Sequence, residues 1–433
     1  MMHRVALYVV ALCGLLATAM RPPPKTIGPL TRFSFSNAML MSIMERKQGI
    51  VSSGAPTSTL ESGFLALAME NTMRYYPTLD KIYTHYLDRI LDTVSLPLGN
   101  ETKDAQMPLD RFSVATAIFD SDPDMAGVSA IQTSAFLAME QSLGLQPRNA
   151  DGGLWYYVYP NWSYLDGMFS LLPYMSLYGY YTKYMQADDI KHQIRLLAQH
   201  CAHPSGLLVH GYDFSRTAVW ANKETGGSPY VWSRSLGWFV LGLVQTYERL
   251  DCGGQRHTFG DYPRLPVCDE IKNTTVPILK NLINYAHPEH GVWWQLTTLG
   301  GSQGNFLESS GTALFTAALF KAIRVGMVKR RGGTAADFRR AAFKAYGYMV
   351  QNFLTWEEDG SVGYNMTVSV CSLNSTASYD YYTTRPIVEN GLLGEAAFVL
   401  ASLERERVFG LKCEYSYDDK IDAYGKKIRY LCI

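Results

Sequence analysis

Trp162-Ser-Tyr-Leu-Asp-Gly-Met-Phe-Ser-Leu171 and Trp232-Ser-Arg-Ser-Leu-Gly-Trp-Phe-Val-Leu241 are two copies of one pattern, set 70 residues apart. Trp162, Ser163, Gly167, Phe169 and Leu171 match Trp232, Ser233, Gly237, Phe239 and Leu241 at identical internal spacing. Looser echoes run from Gly311 to Phe315 and from Gly394 to Phe398, each opening an apolar helix after a long loop. A period of this length holds two helices, so about six helical hairpins fit the chain. Hairpins that bury their faces only against neighbours can close into a ring. The repeat predicts an all-α fold, a six-hairpin (α/α) barrel forming a single domain over residues 20–433.

Helical spacing outside the two copies fits that plan. Segments near 58–73, 77–93, 127–143, 165–184, 187–202, 234–250, 271–286, 308–328, 335–354 and 390–404 read as helices, with Pro, Gly and Asn between them. In the segment from 308, Phe315, Leu319, Ala322, Ile323 and Gly326 fall on one face, and Lys321, Arg324 and Lys329 read as a solvated one. The loops are long and aromatic, notably 152–162 and 206–232. Loops of that length in a compact domain are usually functional. Between Gly360 and Leu373 the apolar residues Val362, Tyr364, Met366, Val368 and Val370 alternate, which predicts a small β-hairpin over one barrel end.

Lys plus Arg and Asp plus Glu both number 39, and 47% of the residues are hydrophobic. That composition describes a folded chain without a basic or acidic face for nucleic acid or a membrane surface. His3 and Arg4, the apolar run Val5 to Leu16, and Ala17-Thr-Ala19 read as a secretory signal, residues 1–19. The run falls short of the roughly 20 apolar residues of a membrane span. Cleavage after Ala19 would leave six cysteines in an oxidising compartment. Local spacing favours Cys252 with Cys268 and Cys413 with Cys432, and elimination leaves Cys201 with Cys371. Sequons at Asn100, Asn161, Asn273, Asn365 and Asn374 fit the same secreted, glycosylated route.

Asp166 is a single acid in an apolar run with Leu165, Met168, Phe169, Leu171, Leu172 and Met175. Burial there would favour its protonated form, as a proton donor requires. Its bland alternative is capping of the following helix. Trp232, Arg234 and Trp238 form a second group, with Arg234 and Trp238 at i and i+4. Indole faces suit the C–H surface of a sugar, and a guanidinium fork suits a carboxylate. The alternative is a pair of core tryptophans and a structural ion pair. Asp120, Asp122 and Asp124, placed before the helix starting near Gly127, offer a second carboxyl. Asp122 is the choice and Asp120 the alternative; helix capping would explain the same cluster.

Other chemistry fails on context. Gly300-Gly-Ser302-Gln-Gly304 matches a serine-hydrolase elbow, yet no histidine follows His290. His200 with His203 and His287 with His290 lack a third ligand at zinc spacing, so neither a metal nor any other cofactor is expected. Phosphate-binding and dinucleotide fingerprints are absent from the sequence.

Tyr159-Pro160 through Leu165-Asp-Gly-Met168, His210-Gly211, Trp232-Ser-Arg-Ser-Leu-Gly-Trp238, Gly304-Asn-Phe-Leu-Glu308 and Pro386-Ile-Val-Glu-Asn390 recur in order in one known family. On these segments the chain resembles the unsaturated rhamnogalacturonyl hydrolases, glycoside hydrolase family 105. It is more distantly similar to the unsaturated glucuronyl hydrolases. The resemblance implies an (α/α) six-hairpin barrel, with Asp166 as general acid/base, Asp122 as second acid, and His210, Trp232, Arg234 and Trp238 lining the sugar site. It implies hydration of the C4–C5 double bond of a terminal unsaturated uronic acid, with release of the next sugar. The partner would be an oligosaccharide carrying that acid at its non-reducing end, such as unsaturated galacturonyl-rhamnose from pectin rhamnogalacturonan. Trp155-Tyr-Tyr157 departs from the His-Lys pair that bacterial members tend to show before Tyr-Pro. The rival readings are an inverting glycosidase on a saturated glycan and a secreted carbohydrate-binding protein without catalysis.

Overall fold

The computed structural model describes residues 34–182, 186–254, 258–259, 262–263, 265–411, 413–416 and 429–432. The expected signal, residues 1–19, lies outside them. Twelve helices make the barrel. They are α1 (Phe35–Glu45), α2 (Thr59–Tyr75), α3 (Asp80–Ser95), α4 (Phe112–Ser121), α5 (Ala130–Leu145) and α6 (Met168–Thr182). The second half supplies α7 (Ala187–His200), α8 (Ser233–Arg249), α9 (Leu265–Ile283), α10 (Ser309–Arg324), α11 (Gly333–Tyr348) and α12 (Leu392–Phe409).

The even-numbered helices form an inner ring, each packed on the next, with α12 returning to α2. The odd-numbered ones lie outside. Five hairpins are consecutive, and the sixth pairs the first helix with the last, α1 on α12. This is the six-hairpin (α/α) barrel that the repeat predicts.

Sequence character sorts the helices into layers. Outer α3 buries Tyr83, Leu87, Ile90, Leu91 and Val94 along one stripe and leaves the other side wet, as a surface helix must. Inner α8 is buried on every side from Ser233 to Tyr247. Two of its glycines permit this. A Cβ on Gly242 would stand 2.6 Å from the Met168 carbonyl oxygen, and one on Gly237 would stand 2.8 Å from Leu314.

The helix starts are built chemically. Ser58 and Glu61 form a reciprocal capping box at α2. The Glu308 carboxylate accepts the Ser310 and Gly311 amides at the start of α10.

Four expectations need correction. Helices α1 and α4 were not read from the sequence. A small β-hairpin is present but joins Leu354–Trp356 to Val362–Tyr364, while Thr367–Val368 pairs with Ile387–Val388, so its bounds differ from 360–373. Lys321 is buried beside Glu248, because an inner helix has no solvated face to offer. Cys201 and Cys371 are free and buried, not bonded to each other. Cys252 and Cys268 are disulfide-linked, and strand register sets Cys413 opposite Cys432.

Candidate active site

All six inner helices start at the same end of the ring, and every predicted site residue except Asp122 gathers there. Asp166 precedes α6, Trp232 and Arg234 open α8, Glu308 caps α10, and Leu60 and Leu393 open α2 and α12. A short antiparallel ladder, Trp162–Tyr164 on Gly211–Asp213, ties the loop before α6 to the one after α7. The Leu165 amide then donates to the His210 carbonyl at 3.1 Å, which fixes His210 beside Asp166. A cavity of about 90 Å³ results, lined by Tyr156, Asp166, Trp232, Arg234, Trp238 and Cys371 among others.

Asp166 keeps 11% of its side chain exposed, on the cavity wall. Ser235 Oγ donates to its Oδ2 at 2.5 Å, and His210 Nε2 lies 3.3 Å from the same oxygen. Among the described residues no backbone N–H bonds to this carboxyl, so it is not a helix cap. Its neighbours Leu165, Phe169, Leu171 and Leu172 are fully buried in the core. The acid itself therefore meets a serine and a histidine, and its surroundings are less apolar than the sequence suggests.

Trp232, Trp238, Arg234 and His210 are each at most 1% exposed. The Trp232 indole N–H donates to Gln295 Oε1 at 3.0 Å. Trp238 packs its ring on Phe64 and Phe169. Arg234 donates through Nε to Ser310 Oγ at 2.7 Å and through Nη2 to the Val368 carbonyl, with Glu308 Oε1 3.5 Å away. The structural ion pair weighed above is thus present. The same guanidinium still lines the cavity.

Asp122 is not brought to this site. It follows the last residue of α4, at the opposite end of the ring. There its carboxylate accepts the Gly127 amide at 2.6 Å and the Asp124 amide at 3.2 Å, holding its own loop. Asp120 lies at that end too, salt-bridged to Arg74 and Arg249. Burial would raise its carboxyl, but the two guanidiniums outweigh that and hold it below the usual range.

The acid that the fold does bring near Asp166 is Asp110, two residues before α4. It is buried and accepts from the Tyr156 hydroxyl at 2.5 Å. Burial pushes its carboxyl up to about 7, against the lowering hydrogen bond from Tyr156, and the charge of Asp166 adds to the rise. Asp110 shares with Asp166 a readable signal, a lone acid just ahead of an apolar helical run, here Phe112-Ser-Val-Ala-Thr-Ala-Ile-Phe119. Reading that helix would have exposed it. Among the described residues no group of three or more His, Cys, Asp or Glu side chains is arranged to hold a metal ion.

The family model described as Glycosyl Hydrolase Family 88 matches residues 40–409. The chain belongs to glycosyl hydrolase family 88. It is 29% identical over 240 residues to the "24.9 kDa protein in picA locus" of Rhizobium radiobacter, covering 54% of this chain and 97% of that one.

Among solved structures, a glycoside hydrolase from family 105 of C. acetobutylicum superposes with a TM-score of 0.74 at 25% identity, covering 87% of this chain and 100% of that one. The unsaturated glucuronyl hydrolase of Bacillus sp. GL1 gives 0.61 at 12% identity, covering 86% and 95%, and shares the fold. Membership of family 88 makes this chain a glycoside hydrolase by family.

Proposed function

We propose that this family 88 chain hydrates the C4–C5 double bond of an unsaturated galacturonate at the non-reducing end of an oligosaccharide and releases the next sugar, with rhamnogalacturonan fragments as its substrates. The observation that carries the reading is Asp166: a cavity-facing carboxyl held by Ser235 and His210, in a cavity also lined by Trp232, Trp238 and Arg234.

In the reaction, protonated Asp166 gives its proton to C4 of the enol ether. The positive charge then formed at C5 and the ring oxygen is captured by water, whose proton returns to Asp166. The hemiketal opens to a keto sugar and the aglycone leaves. Ser235 serves both protonation states of Asp166. It donates to the carboxylate, and when Asp166 is protonated it can accept from it while turning its own hydrogen to the His210 carbonyl 3.1 Å away. Asp110 supplies a second carboxyl able to exchange a proton near neutrality. The starts of α2, α6, α8 and α12 at the cavity favour an anionic substrate, and Arg234 gives the uronate carboxylate a partner.

A cavity of about 90 Å³ is far smaller than an ordinary ligand pocket of some hundreds of Å³. Its outer wall is the segment Val370-Cys-Ser372, with Val370 59% exposed. Entry of a sugar ring therefore requires that segment to swing outward. Secretion, with cleavage after Ala19, belongs to the same proposal and suits a polymer-derived substrate.

The test is a panel of lyase-generated disaccharides followed by loss of the ultraviolet absorbance of the double bond, with detection of the keto product. Turnover of unsaturated galacturonyl-rhamnose supports the reading. Preference for unsaturated glucuronides would revise the substrate, and turnover of saturated glycans alone would replace the mechanism.

A further inference from the structure

His210 stands between Asp166 and a residue that the sequence did not single out. Tyr382 lies on the short helix Tyr379–Thr383, 172 positions from His210, and is fully buried. Its hydroxyl is 2.7 Å from His210 Nδ1. The Tyr382 backbone is tied to the same wall: Gln295 accepts from the Trp232 indole and donates to the Tyr382 carbonyl at 3.1 Å. On the other side of the imidazole, Nε2 lies 3.3 Å from Asp166 Oδ2, without the alignment of a hydrogen bond and without any other protein partner.

We propose that Tyr382 is a positioning residue, which fixes the His210 imidazole as its Nε2–H tautomer and so turns the N–H toward the Asp166 carboxyl. The inference rests on the function proposed for that carboxyl. A neutral imidazole carries one N–H and one bare nitrogen, and the partner of one nitrogen selects the state of the other. The buried phenol has a hydrogen to place, and His210 Nδ1 is the acceptor it meets. A bare Nδ1 puts the proton on Nε2.

The opposite tautomer would leave the phenol hydrogen without an acceptor and set a nitrogen lone pair against a carboxylate oxygen. An imidazolium would orphan the same phenol hydrogen. Either arrangement strands a buried polar group, which is unfavourable. Burial also pushes the Tyr382 phenol well above its ordinary range, so it stays a donor.

The other titratable groups facing these three include Cys371, Tyr164, Tyr230 and Tyr381 around Tyr382, with Tyr156, Asp110 and Arg234 on the Asp166 side. None of them contacts His210 Nδ1. The Nε2–H then offers charge stabilisation to Asp166 once its proton has gone to substrate.

Histidine-selective ¹⁵N labelling of the full chain, read by long-range ¹H–¹⁵N correlation, reports tautomers directly, and His210→Gln assigns the signal. At pH 8 the wild type should show His210 as the Nε2–H form. An Nδ1–H form, or an imidazolium, overturns the proposal. Tyr382→Phe should convert the single tautomer to a mixture, lower kcat about tenfold with KM within about twofold, and move the alkaline limb of the kcat profile to higher pH. A folded Tyr382→Phe protein with the wild-type tautomer, kcat and pH profile also overturns it. Should that variant fail to fold, the wild-type tautomer alone decides. If the wild type turns over no unsaturated uronide, the functional reading fails, and the tautomer measurement still judges Tyr382.

Discussion

The two ends of the inner ring both hold buried acids, and they treat them in opposite ways. Where the inner helices begin, Asp110 and Asp166 have a tyrosine, a serine and a histidine for partners, and burial lifts Asp110 to about 7. Where those helices end, Asp120 meets Arg74 and Arg249, and Glu248 meets Lys321 and Arg324. There burial is outweighed and both carboxyls are held below their ordinary range. Cations also suit the negative ends of the helix dipoles. Burial leaves Asp110 able to change charge at one end, and paired cations keep Asp120 and Glu248 ionised at the other, so chemistry and stability occupy different ends of one ring.

Substitutions can break that division. Asp166→Asn should lower kcat on an unsaturated uronide by about 10³-fold or more while the melting temperature stays near that of the wild type; loss of stability with retained turnover would reverse the roles of the two ends. Asp120→Asn should do the converse, costing about 3 kcal/mol in denaturant unfolding by leaving two guanidiniums without their shared partner, with kcat per folded molecule unchanged. Glu70 sharpens this. Burial and then the charge of Asp120 keep its carboxyl well raised, and Arg74 is 3.8 Å away. It can ionise as a substitute, so Asp120→Asn with Glu70→Gln should cost more than the sum of the single changes.

Asp110 gives a pH signature. Its folded value of about 7 exceeds the roughly 3.9 of an unfolded aspartate, so the folded state binds the proton more tightly. This carboxyl therefore favours folding fully below about pH 4, and that contribution is lost as pH rises towards 7. Asp110→Asn should lack that slope, so the wild-type-minus-variant difference in stability should fall as pH rises from about 4 towards 7, and kcat/KM should drop. The smallest effect belongs to Asp122→Asn, with kcat/KM within about twofold and stability within about 1 kcal/mol, since its carboxylate only holds a loop. A large loss of kcat there would restore it as the second acid.

The ring was legible because the Trp-Ser repeat fixes how two hairpins enter it, and the shared location of Asp166, His210, Trp232, Arg234 and Trp238 was legible because they lie within or between its two copies. Helix α4 was not. Its ten residues are almost all buried, so they lack the polar face that marks an amphipathic helix. That omission had a directional consequence. With α4 unseen, the acids at 120–124 read as lying at the start of a helix near the site. They in fact follow an inner helix and belong to the far end, while Asp110, at the near end, went unmarked. Pairing Cys201 with Cys371 by elimination assumed that every cysteine pairs. Cys371 instead lines the cavity wall, and Cys201 closes α7 in the core.

The pairing of α1 with α12 bears on how the molecule is made. Ser36 and Tyr76 both bond the buried Glu406 carboxylate, and Arg46 pairs with Glu395, so the seam joins segments synthesised hundreds of residues apart. Until α12 leaves the ribosome, the apolar flanks of α2 and α10 have nothing between them. The nascent chain before that point is an unclosed arc, and the ring cannot close until its last helix has been made.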